Sequence, residues 1–176
     1  MSRYAACFCE ENIWWLCQET RFSDAAAEVV FISNQNRCCA MYGQKAASEP
    51  GAPVFWDYHV VLYVKAAGRQ QIWDLDCQAG APMDAKDWLA LTFAPAQHLP
   101  DFVWPRFRIV PAPLYIERFS SDRAHMLDQN GKPMLPFPSW PAIGSGDSNL
   151  SHFINMNDAF LGEVTDLTGI RERWSY

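Results

Sequence analysis

A thiol, an imidazole and a carboxylate in this chain have local settings suited to covalent catalysis. Cys9 lies in Cys7-Phe8-Cys9-Glu10-Glu11-Asn12-Ile13-Trp14-Trp15-Leu16, where a short loop runs into a helix. His59 lies in Phe55-Trp56-Asp57-Tyr58-His59-Val60-Val61-Leu62-Tyr63-Val64, which reads as a strand by its β-branched and aromatic content. Asp74 lies in Gln71-Ile72-Trp73-Asp74-Leu75-Asp76, a second strand just after a Gly-containing turn. A thiol must become a thiolate to attack a carbonyl, and its free pKa is about 8.5. The N–H groups that open a helix lower that value, and so does a nearby imidazolium. Glu10 and Glu11 act the other way, because their charge disfavours a thiolate. A base that takes the thiol proton, with a carboxylate behind it to hold the imidazole tautomer, completes a nucleophilic unit.

Alternation along a strand puts Asp57, His59 and Val61 on one face and Trp56, Tyr58 and Val60 on the other. Asp74 and Asp76 likewise share a face. A two-residue turn at Ala66-Ala67 sets position 74 opposite His59. A four-residue turn from Ala66 to Arg69 sets position 76 there instead. The spacing leaves both registers open.

The elements that must carry these groups follow from periodicity and capping. Glu10 to about Thr20 is predicted helical, with Ile13, Leu16 and Cys17 on one side and acidic residues in the first turn. Ser23 or Asp24 is expected to cap a short helical turn over Ala25-Ala26-Ala27. Val29 to Ser33 is a strand, with Cys38 to Tyr42 as its hairpin partner. Strands are expected over Val54–Lys65 and Gln70–Cys77. Asp84 caps a helix from Ala85 to about Thr92. Arg106 to Val110 alternates polar and apolar, as a half-exposed strand does. Ala112 to Phe119 is helical, Gly162 to Thr165 a short strand, and Leu167 to Trp174 a closing helix. Ser120 to Asn149 holds Pro133, Pro136, Pro138 and Pro141 and reads as a long ordered loop, which in a compact domain is usually functional. One helix followed by strands with inserted helices is an α+β plan.

The whole chain, residues 1–176, is expected to form one domain, since 49% of it is hydrophobic and its length supports a solid core. The net charge of -6 comes without a dense Lys/Arg cluster, which argues against a nucleic-acid partner. Eight Trp and eleven Phe are enough to line a cleft as well as a core. The N-terminal residues lack the apolar segment of a signal peptide, and no stretch approaches the roughly 20 apolar residues of a membrane span. A cytoplasmic protein with reduced thiols, not bound to membranes, is expected. Of the six cysteines, Cys7-x-Cys9 and Cys38-Cys39 do not have the spacing of a zinc site, so no metal is expected. Cys17, Cys38, Cys39 and Cys77 read as small buried hydrophobes.

Several stretches together resemble the protein N-terminal glutamine amidohydrolase family: Cys7-Phe8-Cys9-Glu10-Glu11-Asn12-Ile13-Trp14, Val30-Phe31-Ile32-Ser33-Asn34, Trp56-Asp57-Tyr58-His59-Val60-Val61-Leu62, Asp74-Leu75-Asp76, Ser121-Asp122-Arg123-Ala124-His125-Met126, and Gly146-Asp147-Ser148 before Phe153-Ile154. The resemblance implies a papain- or transglutaminase-like cysteine hydrolase, an antiparallel sheet packed with helices. It implies Cys9 as nucleophile, His59 as base and Asp74 as orienter, with no cofactor. It departs at Ser139-Trp140-Pro141, where the family carries a further Cys. The implied substrates are proteins or peptides that begin with glutamine, deamidated to glutamate with release of ammonia. A carboxylate near the thiol would read the free α-ammonium; Asp57, Glu10 and Asp147 are the candidates, with Trp56 as an aromatic wall. The enzyme is expected to be a monomer, with the nucleus as a second location if it is eukaryotic. Two other readings remain: a transglutaminase-like deamidase of internal glutamine, and a non-catalytic peptide-binding module with an aromatic cleft.

Overall fold

The structure, a computed structural model, describes residues 3–23, 25–144 and 146–175. Its centre is an antiparallel sheet built from β1 (Ala26–Ser33), β4 (His59–Ala66), β5 (Arg69–Trp73), β6 (Met83–Asp84), β7 (Arg106–Pro111) and β8 (Glu163–Asp166), in the order β6-β5-β4-β1-β7-β8. Two short strands, β2 (Cys39–Met41) and β3 (Val54–Trp56), pair with each other beside it. The helices are α1 (Cys9–Leu16), α2 (Ala85–Phe93), α3 (Ala112–Arg118), α4 (Leu150–Ile154) and α5 (Leu167–Arg173). The α+β class read from the sequence is the class observed. No helix among the described residues is long and apolar enough to cross a membrane.

The sheet is covered on both faces, which explains why its central strands read as unbroken apolar runs. On one face Val29 and Phe31 of β1 and Val60, Leu62 and Val64 of β4 pack with Ile13 and Leu16 of α1, Tyr115 of α3 and Phe153 of α4. On the other, Val30, Ile32, Val61 and Tyr63 meet Trp88, Leu89 and Phe93 of α2 and Ile170 of α5. Burying a side chain of this size is worth about 1.5–3 kcal/mol, so the two faces hold α1 and α2 firmly on opposite sides of β4.

Several sequence expectations are met. Asp84 caps α2, its carboxylate accepting from the Lys86 and Asp87 N–H groups. The helices at Ala112 and Leu167 and the strand after Gly162 form where expected. Others are corrected. The residues from Ala26 onward extend β1 rather than forming a helical turn, because they pair with Lys65 and Val64 of β4; Asp24, one of the two caps proposed there, lies outside the described residues. The segment after Cys38 does not pair with β1: β2 pairs with β3. The strand expected over residues 54–65 is broken at Asp57-Tyr58. There the Asp57 carboxylate accepts from the Tyr58 N–H at 2.9 Å, and Ser33 Oγ donates to the Asp57 carbonyl at 2.7 Å. β7 is buried rather than half-exposed. Arg108, 1% exposed, donates to the carbonyls of Phe153, Leu161, Asn155 and Asp158, so its charge is spent inside the molecule.

Candidate active site

Cys9 is the first residue of α1, and His59 is the first residue of β4. Cys9 belongs to the apolar cluster on the α1 face of the sheet, while Val61 and Tyr63, which share His59's parity along β4, belong to the cluster on the α2 face. Thiol and imidazole thus belong to elements that pack on opposite faces, and both line one cavity of about 830 Å³ at the end of β4. Trp56, Asp57, Tyr58 and Asp147 line it too.

The partner of His59 follows from how β5 ends. The β4–β5 ladder runs from Ala66↔Arg69 to Leu62↔Trp73, with Ala67 and Gly68 as the turn. Both turn residues have positive φ (48° and 74°), the geometry that matches the twist of a two-residue hairpin. Continued, this register would set Asp76 opposite His59. The ladder stops at Trp73, however, and the chain turns out of the sheet. Asp74 swings under the imidazole, and its Oδ1 lies 2.9 Å from His59 Nε2. Asp76 turns toward the N-terminal segment and accepts from Tyr4 Oη at 2.5 Å. Asp74 is thus not a strand residue as predicted, but the first residue beyond one.

Asp74 is saturated with donors. Oδ1 also accepts from the Asp76 N–H at 3.0 Å, and Oδ2 accepts from Gln44 Nε2 at 2.9 Å and Trp88 Nε1 at 3.0 Å. Burial would raise its pKa, but His59, Gln44 and Trp88 outweigh that and hold it below the usual carboxylate range. Burial would likewise lower His59, yet the charge and hydrogen bond of Asp74 win and hold the imidazole above its ordinary value. Trp56 stacks on His59, with ring centroids 5.4 Å apart and planes at 16°. His59, Asp74 and Asp76 bring ligand atoms of metal-binding type within 4.8 Å of one another. Those of Asp74 are already engaged by four protein donors, and Asp76 is engaged by Tyr4.

Around the thiol the balance differs from the sequence expectation. Burial pushes the Cys9 pKa well above its ordinary value, the charges of Glu10 and Asp76 push the same way, and a hydrogen bond from the Val60 N–H opposes them without prevailing. The helix start does not outweigh the burial of the thiol. Cys9 Sγ lies 3.6 Å from Glu10 Oε2, which also accepts from Tyr58 Oη at 3.0 Å. Glu10 is fully buried, and burial pushes its pKa up to about 7. Its Oε1 has no hydrogen-bond partner and lies 3.6 Å from Nε2 of His125, a residue on the cavity wall. Glu11 faces away from the thiol and forms a two-pronged ion pair with Arg123, with Nε–Oε1 at 2.8 Å and Nη2–Oε2 at 2.7 Å. Trp140 Nε1 donates to the same carboxylate at 2.7 Å.

The sequence-derived candidates thus separate into groups. Cys9, His59, Trp56, Asp57 and Asp147 reach the cavity. Asp74 sits behind His59, and Glu10 behind Tyr58. Sequence reading missed Gln44 and Trp88, because a lone Gln and a core Trp give no local sign of the carboxylate they serve. His125 lies in one of the stretches that carry the resemblance, and its place on the cavity wall is what singles it out.

Comparison with known proteins places the chain in a family. The N-terminal glutamine amidase family profile matches residues 4–174. The chain is 38% identical over 180 residues to a cattle (Bos taurus) protein named protein N-terminal glutamine amidohydrolase, covering 98% of this chain and 86% of that protein. Proteins of the same name from human and zebrafish (Danio rerio) are 37% and 35% identical, covering 88% and 94% of this chain and 78% and 85% of theirs. A match over nearly the whole length, on a fold that sets Cys9 and His59 on one cavity with Asp74 behind the imidazole, leads to one conclusion: the chain belongs to the N-terminal glutamine amidase family.

Proposed function

We propose that this protein hydrolyses the side-chain amide of an N-terminal glutamine in proteins or peptides, leaving N-terminal glutamate and releasing ammonia. The observation that carries the reading is the buried His59–Asp74 pair at the wall of the cavity that Cys9 also lines. The pair supports a reading of Cys9, His59 and Asp74 as a papain- or transglutaminase-like Cys-His-Asp unit.

Asp74 occupies Nε2 and leaves Nδ1 of His59 as the ring atom that exchanges a proton with the thiol. Burial raises the pKa of the thiol, so His59 is needed to take its proton as sulfur attacks the amide carbon. The oxygen of the tetrahedral intermediate needs a donor. The Cys9 backbone N–H is the candidate, since N–H groups in the first turn of a helix have no intrahelical partner. The imidazolium then protonates the nitrogen, ammonia leaves and a thioester remains. Water attacks the thioester, His59 takes a proton from it, and collapse releases glutamate and the thiol. The raised pKa of His59 suits the protonation of nitrogen, and the dense donor set on Asp74 keeps that carboxylate ionised while it does so.

Selectivity for a chain terminus follows from charge. Asp57, Asp76, Asp122 and Asp147 line the cavity, opposed there by Arg37. Such a surface attracts an α-ammonium, and an internal glutamine lacks one. Asp57 and Asp147 are the proposed readers, and Trp56 forms an aromatic wall. Glu10 contributes from behind Tyr58. All six cysteines are free, which fits a reducing compartment such as the cytoplasm.

The test is ammonia release from a short peptide beginning with glutamine, beside its N-acetylated twin, with wild type and Cys9→Ala. Release from the free peptide alone, abolished by the substitution, is expected. Release from both peptides would point to a deamidase of internal glutamine. Release from neither would leave a peptide-binding module.

A further inference from the structure

Gln44 lies between β2 and β3, away in sequence from the stretches that carry the family resemblance, and it is completely buried. Its amide spans two parts of the site at once. Nε2 donates to Asp74 Oδ2 at 2.9 Å, and Oε1 accepts from Trp56 Nε1 at 3.3 Å. These partners dictate the orientation of the amide: a carboxylate only accepts and an indole N–H only donates, so the group between them must present a donor on one side and an acceptor on the other. Both partners touch His59, Asp74 through its ring nitrogen and Trp56 through its ring face.

The backbone around Gln44 is tied to the turn that carries Asp74. The Gln44 carbonyl accepts from Gln78 Nε2 at 3.0 Å, the Lys45 N–H donates to the Asp76 carbonyl at 2.7 Å, and the Gln78 N–H donates to the Gly43 carbonyl at 2.7 Å. Tyr42 N–H donates to the Thr92 carbonyl at the end of α2, the helix that also supplies Trp88 to Asp74. Gln44 therefore joins the 42–45 segment, the 74–78 turn and β3 into one rigid frame around the imidazole.

We propose that Gln44 is a positioning residue of the reaction, whose amide fixes the carboxylate that orients His59 and the indole that covers it. The inference rests on the Cys9–His59–Asp74 reading above. Without Gln44, Asp74 loses one of its two Oδ2 donors and Trp56 loses the acceptor that holds its plane against the imidazole. The charged and titratable groups near His59 are Asp74, Asp76, Asp57, Cys9 and Glu10, with Lys45 beside Gln44 at the surface, where its Nζ donates to the Leu75 carbonyl. None of them bridges Asp74 and Trp56 as Gln44 does.

The test uses two substitutions of similar length. Gln44→Met removes donor and acceptor; Gln44→Glu keeps the acceptor toward Trp56 and puts a like charge against Asp74. Steady-state deamidation of a glutamine-initiated peptide is measured, together with the His59 titration by imidazole NMR and thermal unfolding. Gln44→Met is expected to lower kcat about ten- to hundredfold, the effect of losing a hydrogen bond to a charged group, with KM changed less than about twofold. Gln44→Glu is expected to move the His59 titration, since two buried carboxyls in contact do not both stay ionised and the charge that Asp74 presents to the ring changes. A folded Gln44→Met with wild-type kcat, or a folded Gln44→Glu with an unmoved His59 titration, would overturn the proposal. If one variant fails to fold, the other carries the test. A Cys9→Ala protein that keeps wild-type turnover would instead overturn the underlying triad, whatever the Gln44 variants do.

Discussion

At the scale of single residues, the thiol is set among groups that oppose its ionisation. Glu10 is the sharpest case: a fully buried carboxyl, 3.6 Å from Sγ, with one oxygen lacking a hydrogen-bond partner. Its pKa rises from 4.5 to about 7 on folding, chiefly through burial. The sign of the linked stability follows. Below pH 4.5 both states are protonated and Glu10 exacts no penalty; through the window from 4.5 to 7 the unfolded chain releases the proton first, so stability falls as pH rises. Replacing Glu10 with Gln removes the titration. The stability of Glu10→Gln relative to wild type is expected to grow by about 3 kcal/mol across that window and to stay level above it. Urea unfolding of both proteins at a series of pH values checks this, and a difference independent of pH would rule it out. Sequence reading anticipated that Glu10 opposes a thiolate; it did not anticipate that burial of the thiol itself is the larger effect.

At the scale of elements, the long segment after α3 is held against α1 by a buried ion pair. Arg123, in the left-handed region at φ 61°, makes the two-pronged pair with Glu11 on α1 and donates to the Trp140 carbonyl at 2.9 Å, while Trp140 returns a hydrogen bond to Glu11. Glu11 is fully buried and Arg123 only 5% exposed. Removing one partner of such a pair leaves an uncompensated buried charge and is expected to cost about 3–5 kcal/mol. Arg123→Met and Glu11→Met should each be destabilised on that order, and the double variant should be more stable than either. Chemical denaturation of all three measures it; additive losses would show that the pair does not act as a unit. The clamp docks the loop beside the helix that begins at Cys9, so a loss of turnover is expected in the single variants as well.

At the scale of the whole molecule, the net charge of -6 and the carboxylates on the cavity wall would act together on the proposed cationic substrate. Attraction between exposed charges is screened over about 10 Å at 0.1 M ionic strength. For a peptide with a free α-ammonium, KM is expected to rise severalfold between low salt and about 0.5 M salt, with kcat nearly constant, because the chemical step lies between buried groups that salt screens little. A salt-independent KM would remove long-range attraction from the account of selectivity.

Much of the local structure was legible in the sequence, as were the groups proposed to react. Acidic residues after Cys9 opened a helix, apolar runs made buried strands, Asp84 capped α2, and the resemblance picked out Cys9, His59 and Asp74. These are short-range matters, fixed by side-chain pattern and backbone preference. The tertiary structure alone decided which carboxylate meets His59. The hairpin register favours Asp76, and only the departure of the chain from the sheet after Trp73 brings Asp74 to the ring. It alone decided that Arg108 is buried, that burial and neighbouring carboxylates push the thiol pKa up, and that Gln44 and Trp88 complete the carboxylate's shell. Burial, field and long-range contact are properties of the packed molecule. A residue 30 positions from Asp74 carries no local mark that its amide will end against that carboxylate.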